Sequence, residues 1–172
     1  MRLREIRHSD VDAFFSIYSD AETSRFLSRP AMKERAQAEQ FVERVRTGYS
    51  TGSAISLAVE RIEDRAVIGE CVLFDIHTQS RRAEIGYTLG REYWSQGYMT
   101  EALVALIEIA FGPLDLNRLE ADIDPRNAPS ARILERLGFV KEGFLRERWI
   151  VAGVVSDTAL YGLLRKEWEA RA

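Results

Sequence analysis

The 172-residue sequence has little of the material from which disulfides and metal sites are built. It holds one cysteine, Cys71, which excludes an intrachain disulfide and a cysteine-based zinc site. Its two histidines, His8 and His77, are far apart and lack the i, i+4 spacing of a helical metal site. We therefore predict that the protein binds no metal. Cys71 lies in the apolar run 71–74 and is expected to be an inert thiol in the core.

Long hydrophobic runs and an excess of basic charge are also missing. The longest mostly apolar stretch, residues 102–111, is interrupted by Glu108 and falls far short of the roughly 20 residues of a membrane span. The first residues carry charges instead of the apolar core of a signal peptide. The net charge of −3 argues against nucleic-acid binding and leaves room for an acidic pocket that accepts a cation. We expect a cytoplasmic protein with neither a membrane nor a nucleic acid as partner.

The distribution of apolar residues predicts a single α+β domain over residues 1–172. Hydrophobic residues make up 46% of the chain and charged residues 30%, which is typical of a globular domain. Alternating patterns predict strands, and patterns with a period near 3.6 predict helices. Seven strands are expected at 3–7, 54–61, 66–76, 83–89, 118–123, 139–149 and 154–165, and four helices at 11–18, 33–47, 102–111 and 128–137, with a loop at 48–53. We predict a mixed, mostly antiparallel sheet of about seven strands, flanked by about four helices.

One candidate site lies where the strand at 83–89 leads through a short loop into a buried helix. The N-terminus of a helix exposes unpaired N–H groups and the positive end of the helix dipole, which suits a phosphate. Gly97 would let the backbone approach such an anion closely. The G-x-G-x-x-G and G-x-x-x-x-G-K-[ST] patterns are both absent. On local pattern alone, an ordinary strand–helix connection and an anion site both remain open.

A second stretch, residues 124–139, predicts a helix capped by Asn127 and ended by Gly138. Local helix chemistry explains both residues without any function. Together, however, the two stretches contain a series of motifs in a fixed order. These are Ile-Gly-Tyr at 85–87, Tyr-Trp-x-x-Gly-Tyr-Met-Thr-Glu-Ala-Leu at 93–103, Asn-x-x-Ser at 127–130 and Leu-Gly-Phe-x-x-Glu-Gly at 137–143.

With these motifs the chain resembles the GNAT acetyltransferase superfamily, most closely its ribosomal-protein alanine/serine N-acetyltransferase branch, over nearly its whole length. Two positions depart from the general superfamily pattern. Trp94 stands where Gln or Arg is usual, and Met99 where a small residue is usual. Both departures are typical of the ribosomal-protein branch.

The resemblance implies that the chain binds acetyl-CoA as a co-substrate. The pantetheine arm would pair with the strand at Thr88 and Leu89 and contact Asn127. The pyrophosphate would bind the backbone amides of Gln96, Gly97, Tyr98, Met99 and Thr100. Many relatives place a tyrosine acid where this chain has Leu134, which cannot donate a proton. Ser130, which would face the thioester sulfur, is therefore the candidate acid.

The proposed reaction needs only a weak base. An α-amine has a pKa of about 8, so roughly a tenth of it is neutral at pH 7, and a carboxylate acting through water would suffice. Four strand carboxylates are candidates, although each is also explained as a solvated side chain: Glu84, Glu120, Asp122 and Glu147. The oxyanion needs an N–H donor, which a splayed strand near residues 88–89 could supply.

Three functions are compatible with these residues. The favoured one is an N-acetyltransferase that acts on the N-terminal α-amine of a protein or peptide. The second has a small amine, such as a polyamine or an antibiotic, as acceptor. The third is a CoA-binding module without catalysis that regulates a partner. Residues 20–32 are expected to form an acceptor-side loop, and a homodimer is compatible with the chain, although no motif defines its oligomeric state.

Overall fold

A computed structural model describes residues 1–171, except for the side chains of residues 50 and 51. Within that part of the chain, seven strands form one sheet in the order β1-β2-β3-β4-β5-β7-β6. Neighbouring strands are antiparallel, apart from the parallel pair β4 and β5. The strands are β1 (Arg2–Glu5), β2 (Ala54–Glu60), β3 (Val67–His77), β4 (Arg82–Leu89), β5 (Arg118–Ile123), β6 (Val140–Val151) and β7 (Val154–Leu164). The predicted mixed, mostly antiparallel sheet is confirmed.

Six α-helices accompany the sheet over the described residues. They are α1 (Val11–Ser19), α2 (Ala21–Ser24), α3 (Arg35–Thr51), α4 (Tyr98–Phe111), α5 (Ala128–Leu137) and α6 (Arg165–Glu169). The four longer ones correspond to the four predicted helices. The other two have four and five residues, too few to show a helical period in the sequence. In the described chain, none of the helices combines the length and apolar character needed to cross a bilayer.

The helices cover both faces of the sheet. The nearly all-apolar α4 packs with α5 on one face, in a core that includes Leu103, Leu106 and Leu134. On the other face, α1 and α3 pack through Phe14 and Phe41, whose ring centroids lie 5.2 Å apart in an edge-to-face contact. Residues of one strand alternate between these two layers, so neighbouring side chains on β4 or β5 point into different environments.

The strands β4 and β5 separate soon after they begin. Arg82, Ala83 and Glu84 pair with residues 118–120, and no pair follows within the described strands. Both strands run the same way, and each leads into a helix, β4 into α4 and β5 into α5. The N-termini of these helices therefore lie at the open end of a V-shaped cleft between the strands.

The helix α3 differs from its prediction in length and orientation. It continues to Thr51, so the predicted loop at 48–53 is wrong over most of its length. Its last turn is held by Tyr49, whose hydroxyl accepts from the Ile6 N–H at 3.1 Å and donates to the Ser56 carbonyl. Tertiary contacts thus override the loop-forming composition of this segment. The apolar pattern of residues 33–47 predicts Ala36 on the inner side of this helix, but Ala36 is exposed, and the inward alanine is Ala38, which has no exposed surface.

Candidate active site

The backbone of β4 presents alternate residues to the cleft. The Gly90 N–H donates to the Ile68 carbonyl of β3 at 2.8 Å, so the backbone groups of every second residue, including Thr88, also face β3. Those of Tyr87 and Leu89 face the cleft. The predicted pantetheine pairing agrees with this orientation for Leu89 but not for Thr88. The backbone groups of Tyr87, unlike those of Thr88, point into the cleft.

The loop after β4 is fastened to the end of the strand. The Trp94 indole N–H donates to the Leu89 carbonyl at 2.7 Å, and the indole stays partly exposed. The Trp94 indole therefore connects the loop to the strand instead of packing in the core. The Gln96 side chain donates to the Glu92 carbonyl at 2.9 Å. These contacts hold the start of α4 beside the cleft end of β4.

The N-terminus of α4 has the shape of an anion site. Gly97 precedes the helix with φ 85°, a left-handed conformation that favours glycine. Apart from Gly97 and its two neighbours in the chain, no atom of the described residues lies within 4 Å of the position that a Cβ on Gly97 would occupy. The first-turn amides of Tyr98, Met99 and Thr100 have no partner in an ideal helix, whereas the Met99 side chain is buried against Cys71, 3.7 Å away. This open glycine beside unpaired amides fits the pyrophosphate of CoA.

The helix α5 carries the predicted cap and the predicted acid. The Asn127 side chain accepts from the Ser130 N–H at 3.3 Å, which confirms the N-cap and leaves the amide nitrogen of Asn127 available to a ligand. Ser130 is 7% exposed, and its hydroxyl oxygen lies 2.5 Å from the hydroxyl of Tyr87 on β4. Leu134, at the position where the resemblance places a tyrosine acid, has no exposed surface and no group that could donate a proton. In the sequence, Tyr87 is distinguished only as a member of the Ile-Gly-Tyr motif, and no local signal indicates its contact with Ser130.

Three of the four predicted carboxylates lie together on the sheet face opposite to Ser130, but their surroundings differ. Glu120 is held by the Arg82 guanidinium at 2.9 Å and the Arg118 guanidinium at 2.8 Å. Asp122 accepts from the Thr158 hydroxyl and, at 3.3 Å, from the Trp149 indole N–H. Glu120 is therefore part of a structural ion-pair network, whereas Asp122 is fixed mainly by hydrogen bonds and has the Arg148 guanidinium 3.9 Å away.

Glu84 is the carboxylate at the apex of the cleft. It is paired with Glu120 across the last register position before β4 and β5 separate. Burial raises its pKa to about 7, with further contributions from Asp122 and Asp75, while Arg148 acts in the opposite direction. Within the described part of the chain it forms no ion pair. Such a group exchanges a proton near neutral pH, as a general base must.

The remaining predicted carboxylate, Glu147, lies in an irregular part of β6. Its φ is 52°, and its N–H donates to the Asp157 carboxylate at 2.8 Å. The register between β6 and β7 shifts between Leu145 and Trp149, and the indole that follows reaches Asp122. The bulge thus positions Trp149, and Glu147 contributes its backbone.

The described residues contain no group of three or more His, Cys, Asp or Glu placed to hold a metal ion.

The cleft therefore brings two chemical functions to opposite faces of the sheet. Tyr87 points to the face that carries α5 and Ser130. Glu84 points to the other face, since strand residues alternate. A proton acceptor on one side and a hydroxyl donor on the other suit a transfer in which a nucleophile enters from one face and a leaving group departs on the other.

Comparisons with known proteins agree with this geometry. The family described as acetyltransferase (GNAT) domain matches residues 1–140. An uncharacterized N-acetyltransferase, p20 of Bacillus licheniformis, is 33% identical over 168 residues, covering 98% of this chain and 94% of that protein. The ribosomal protein uS5-alanine N-acetyltransferase of Escherichia coli is 29% identical over 121 residues, covering 70% of this chain and 62% of that protein. In fold, the chain matches a spermidine N-acetyltransferase of Vibrio cholerae, solved with CoA and spermine, at a TM-score of 0.86, 18% identity and coverage of 98% and 97%.

Proposed function

Because the chain belongs to the GNAT acetyltransferase family, we propose that the amine it acetylates is the N-terminal α-amine of a protein or peptide. Acetyl transfer from acetyl-CoA follows from the family itself. The acceptor class and the roles of individual residues are the proposal. The similarity to a ribosomal protein alanine N-acetyltransferase supports it.

The cleft between β4 and β5 would hold acetyl-CoA. Backbone groups of Tyr87 and Leu89 would pair with the pantetheine arm, and Asn127 would contact it through its side-chain amide. The pyrophosphate would bind the amides at the start of α4, where Gly97 leaves open space. Acetyl-CoA supplies the acetyl group as a thioester, whose sulfur must leave as a thiolate or thiol.

The observation that carries the proposal is the apex position of Glu84 together with its pKa of about 7. An α-ammonium group has a pKa of about 8, whereas an alkyl ammonium of the lysine type has one of about 10.4. Transfer of a proton to Glu84 through water is therefore nearly balanced for an α-amine and strongly uphill for a polyamine. The pKa of Glu84 favours the peptide terminus as acceptor.

Asp122 would hold the incoming ammonium next to Glu84. Its carboxylate is fixed by the Thr158 hydroxyl and the Trp149 indole N–H, so it cannot rotate away. The exposed part of the indole would flank the acceptor, and an aromatic face attracts a cation. The Arg148 guanidinium lies 5.9 Å from the ring centre and 3.9 Å from Asp122, so an incoming ammonium would displace it. This arrangement supports binding of a primary ammonium on the Glu84 face.

Ser130 would donate a hydrogen bond to the departing sulfur on the opposite face. Ser130→Ala should lower kcat about a hundredfold or more, while the affinity for CoA stays within a few-fold, because the hydroxyl acts on the leaving group. A serine that serves only the helix would instead cost stability and leave kcat unchanged.

An acceptor panel tests the proposed function. Three acceptors are compared by release of the CoA thiol: a short peptide with a free α-amine and a lysine, the same peptide with its α-amine formylated, and spermidine. We expect turnover with the free peptide and little with the other two. Turnover with spermidine but not with either peptide would show that the acceptor is a small amine and not a peptide N-terminus. Binding of acetyl-CoA without release of the CoA thiol in the presence of any of these amines would indicate a non-catalytic module.

A further inference from the structure

Tyr87 has a partly buried polar contact that the reaction described above does not use. Its hydroxyl oxygen lies 2.5 Å from the Ser130 hydroxyl oxygen and 3.4 Å from the Ser130 carbonyl oxygen. The two residues are 43 positions apart and belong to β4 and α5, the elements that line the cleft. The contact therefore connects both walls of the donor site at the serine that faces the leaving sulfur.

The 2.5 Å distance fits either hydroxyl as the donor, and the Ser130 carbonyl at 3.4 Å is a much longer contact for the phenol hydrogen. The chemistry of the two hydroxyls favours Tyr87 as the donor to the Ser130 oxygen. Burial raises the pKa of the Tyr87 phenol above its ordinary value, so the phenol stays protonated and is a stronger donor than an aliphatic hydroxyl. If Ser130 were the donor, its single hydroxyl hydrogen would bond the phenol oxygen and would not be available to the cleft. When Tyr87 donates to the Ser130 oxygen, the Ser130 hydrogen is left for an acceptor in the cleft.

We propose that Tyr87 is a positioning residue, whose hydroxyl donates to Ser130 and thereby directs the Ser130 hydrogen toward the sulfur of CoA. This inference rests on the proposed function. It assigns to the tyrosine of the Ile-Gly-Tyr motif a role that acts through another residue. No proton leaves Tyr87, because the phenol donates a hydrogen bond and remains neutral throughout.

The titratable groups close enough to affect the Tyr87 phenol are uncharged. Among the described residues they are Cys71 on β3 and Tyr161 on β7, and both have only a small effect beside that of burial. Burial raises the pKa of both groups, so each is neutral at pH 7. The orientation of Ser130 thus depends on Tyr87 and on the Asn127 cap, which holds the Ser130 backbone N–H.

The experiment measures the thiol pKa of CoA bound to the enzyme, by the ultraviolet absorbance of the thiolate, together with kcat. Tyr87→Phe removes the hydroxyl and keeps the ring. Tyr161→Phe is the matched control, since Tyr161 is buried in the same core and its hydroxyl donates to Glu135 at 3.3 Å. Ser130→Ala and the double variant complete a cycle that separates a shared effect from two independent ones.

We expect the wild-type protein to hold the bound thiol at a lower pKa than free CoA, because a directed hydroxyl stabilises the thiolate. Tyr87→Phe should raise that pKa toward the free value and lower kcat about tenfold, with the KM for acetyl-CoA nearly unchanged. Tyr161→Phe should leave both quantities as in the wild type. The double variant should match Ser130→Ala.

Two results would overturn the positioning role. One is a Tyr87→Phe protein with wild-type thiol pKa and kcat and an unchanged melting curve. The other is a double variant whose losses are the full product of the single losses, since the hydroxyls would then act independently. Failure of the wild-type protein to bind CoA would instead overturn the proposed function, and the positioning role with it.

Discussion

Replacement of Glu84 by glutamine should change which group sets the pH dependence of the reaction. In the wild-type protein, kcat/KM for a peptide acceptor should fall tenfold per pH unit below about 7, the pKa to which burial and Asp122 raise Glu84. At pH 5 only about one Glu84 in a hundred is ionised, so the rate should be about a hundredfold below its plateau. An exposed glutamate of pKa about 4.3 would still be about four-fifths ionised there.

The assay uses two peptides whose α-amines differ in pKa. Below its own pKa each peptide is mostly the ammonium ion, which Glu84 can deprotonate, so both peptides should show the same acidic inflection near pH 7. Glu84→Gln lacks the base and can use only the neutral amine. Its rate should be about a hundredfold lower, and its inflection should move to the pKa of each peptide.

Two further variants test the origin of the pKa of Glu84. Asp122→Asn removes the larger neighbouring charge and should shift the inflection to lower pH more than Asp75→Asn does. Neither variant should return the pKa of Glu84 to the ordinary value for glutamate, because burial is the largest cause of its raised pKa. The reasoning fails if Glu84→Gln keeps a common inflection for both peptides, or if the wild-type inflection lies near 4.5. Melting curves at each pH exclude unfolding as the cause.

Three other predictions concern the phosphate site, the donor and a buried carboxyl group. Gly97→Ala and Gly52→Ala both place a side chain at positive φ in open space, so each variant should lose about 1 kcal/mol of stability. Only Gly97→Ala should weaken CoA binding in calorimetry, and equal CoA affinities of the two variants would contradict the phosphate site. Acetyl-CoA at about a hundred times its Kd should add about 2.7 kcal/mol of apparent stability and NAD none, and a missing shift in Tm would contradict the donor site. Burial raises the pKa of Glu70, which accepts from Tyr18, above the ordinary 4.5. As pH rises from 4.5 to the raised pKa, the unfolded chain loses this proton first, so the free energy of unfolding should fall. Denaturant titrations at several pH values should show a smaller fall for Glu70→Gln. An unchanged pH dependence would refute the assignment.

Features controlled by neighbouring residues could be predicted from the sequence. The bounds of β5 and of α5 agree with the prediction to the residue, because alternation, the Asn127 cap and the glycine at 138 are local signals. The end of α3 could not be predicted in this way, since it is held by contacts of Tyr49 with distant strands.

The sequence offers the candidate carboxylates of the cleft but does not distinguish between them. Glu84, Glu120 and Asp122 are equivalent as sequence patterns. They become different only when β4 and β5 are paired, because the register brings Arg82 next to Glu120 and leaves Glu84 at the apex. Likewise, the contact between Tyr87 and Ser130 depends on where α5 packs and has no local signal.

Competition between two acceptors in one reaction tests the central claim most directly. A peptide with a free α-amine and spermidine are supplied at equal concentration with limiting acetyl-CoA, and the products are identified by tandem mass spectrometry. The account predicts that the acetyl group is found on the peptide α-amine, with spermidine and the lysine side chain largely unmodified. Acetylation that is found mainly on spermidine or on the lysine side chain would contradict it.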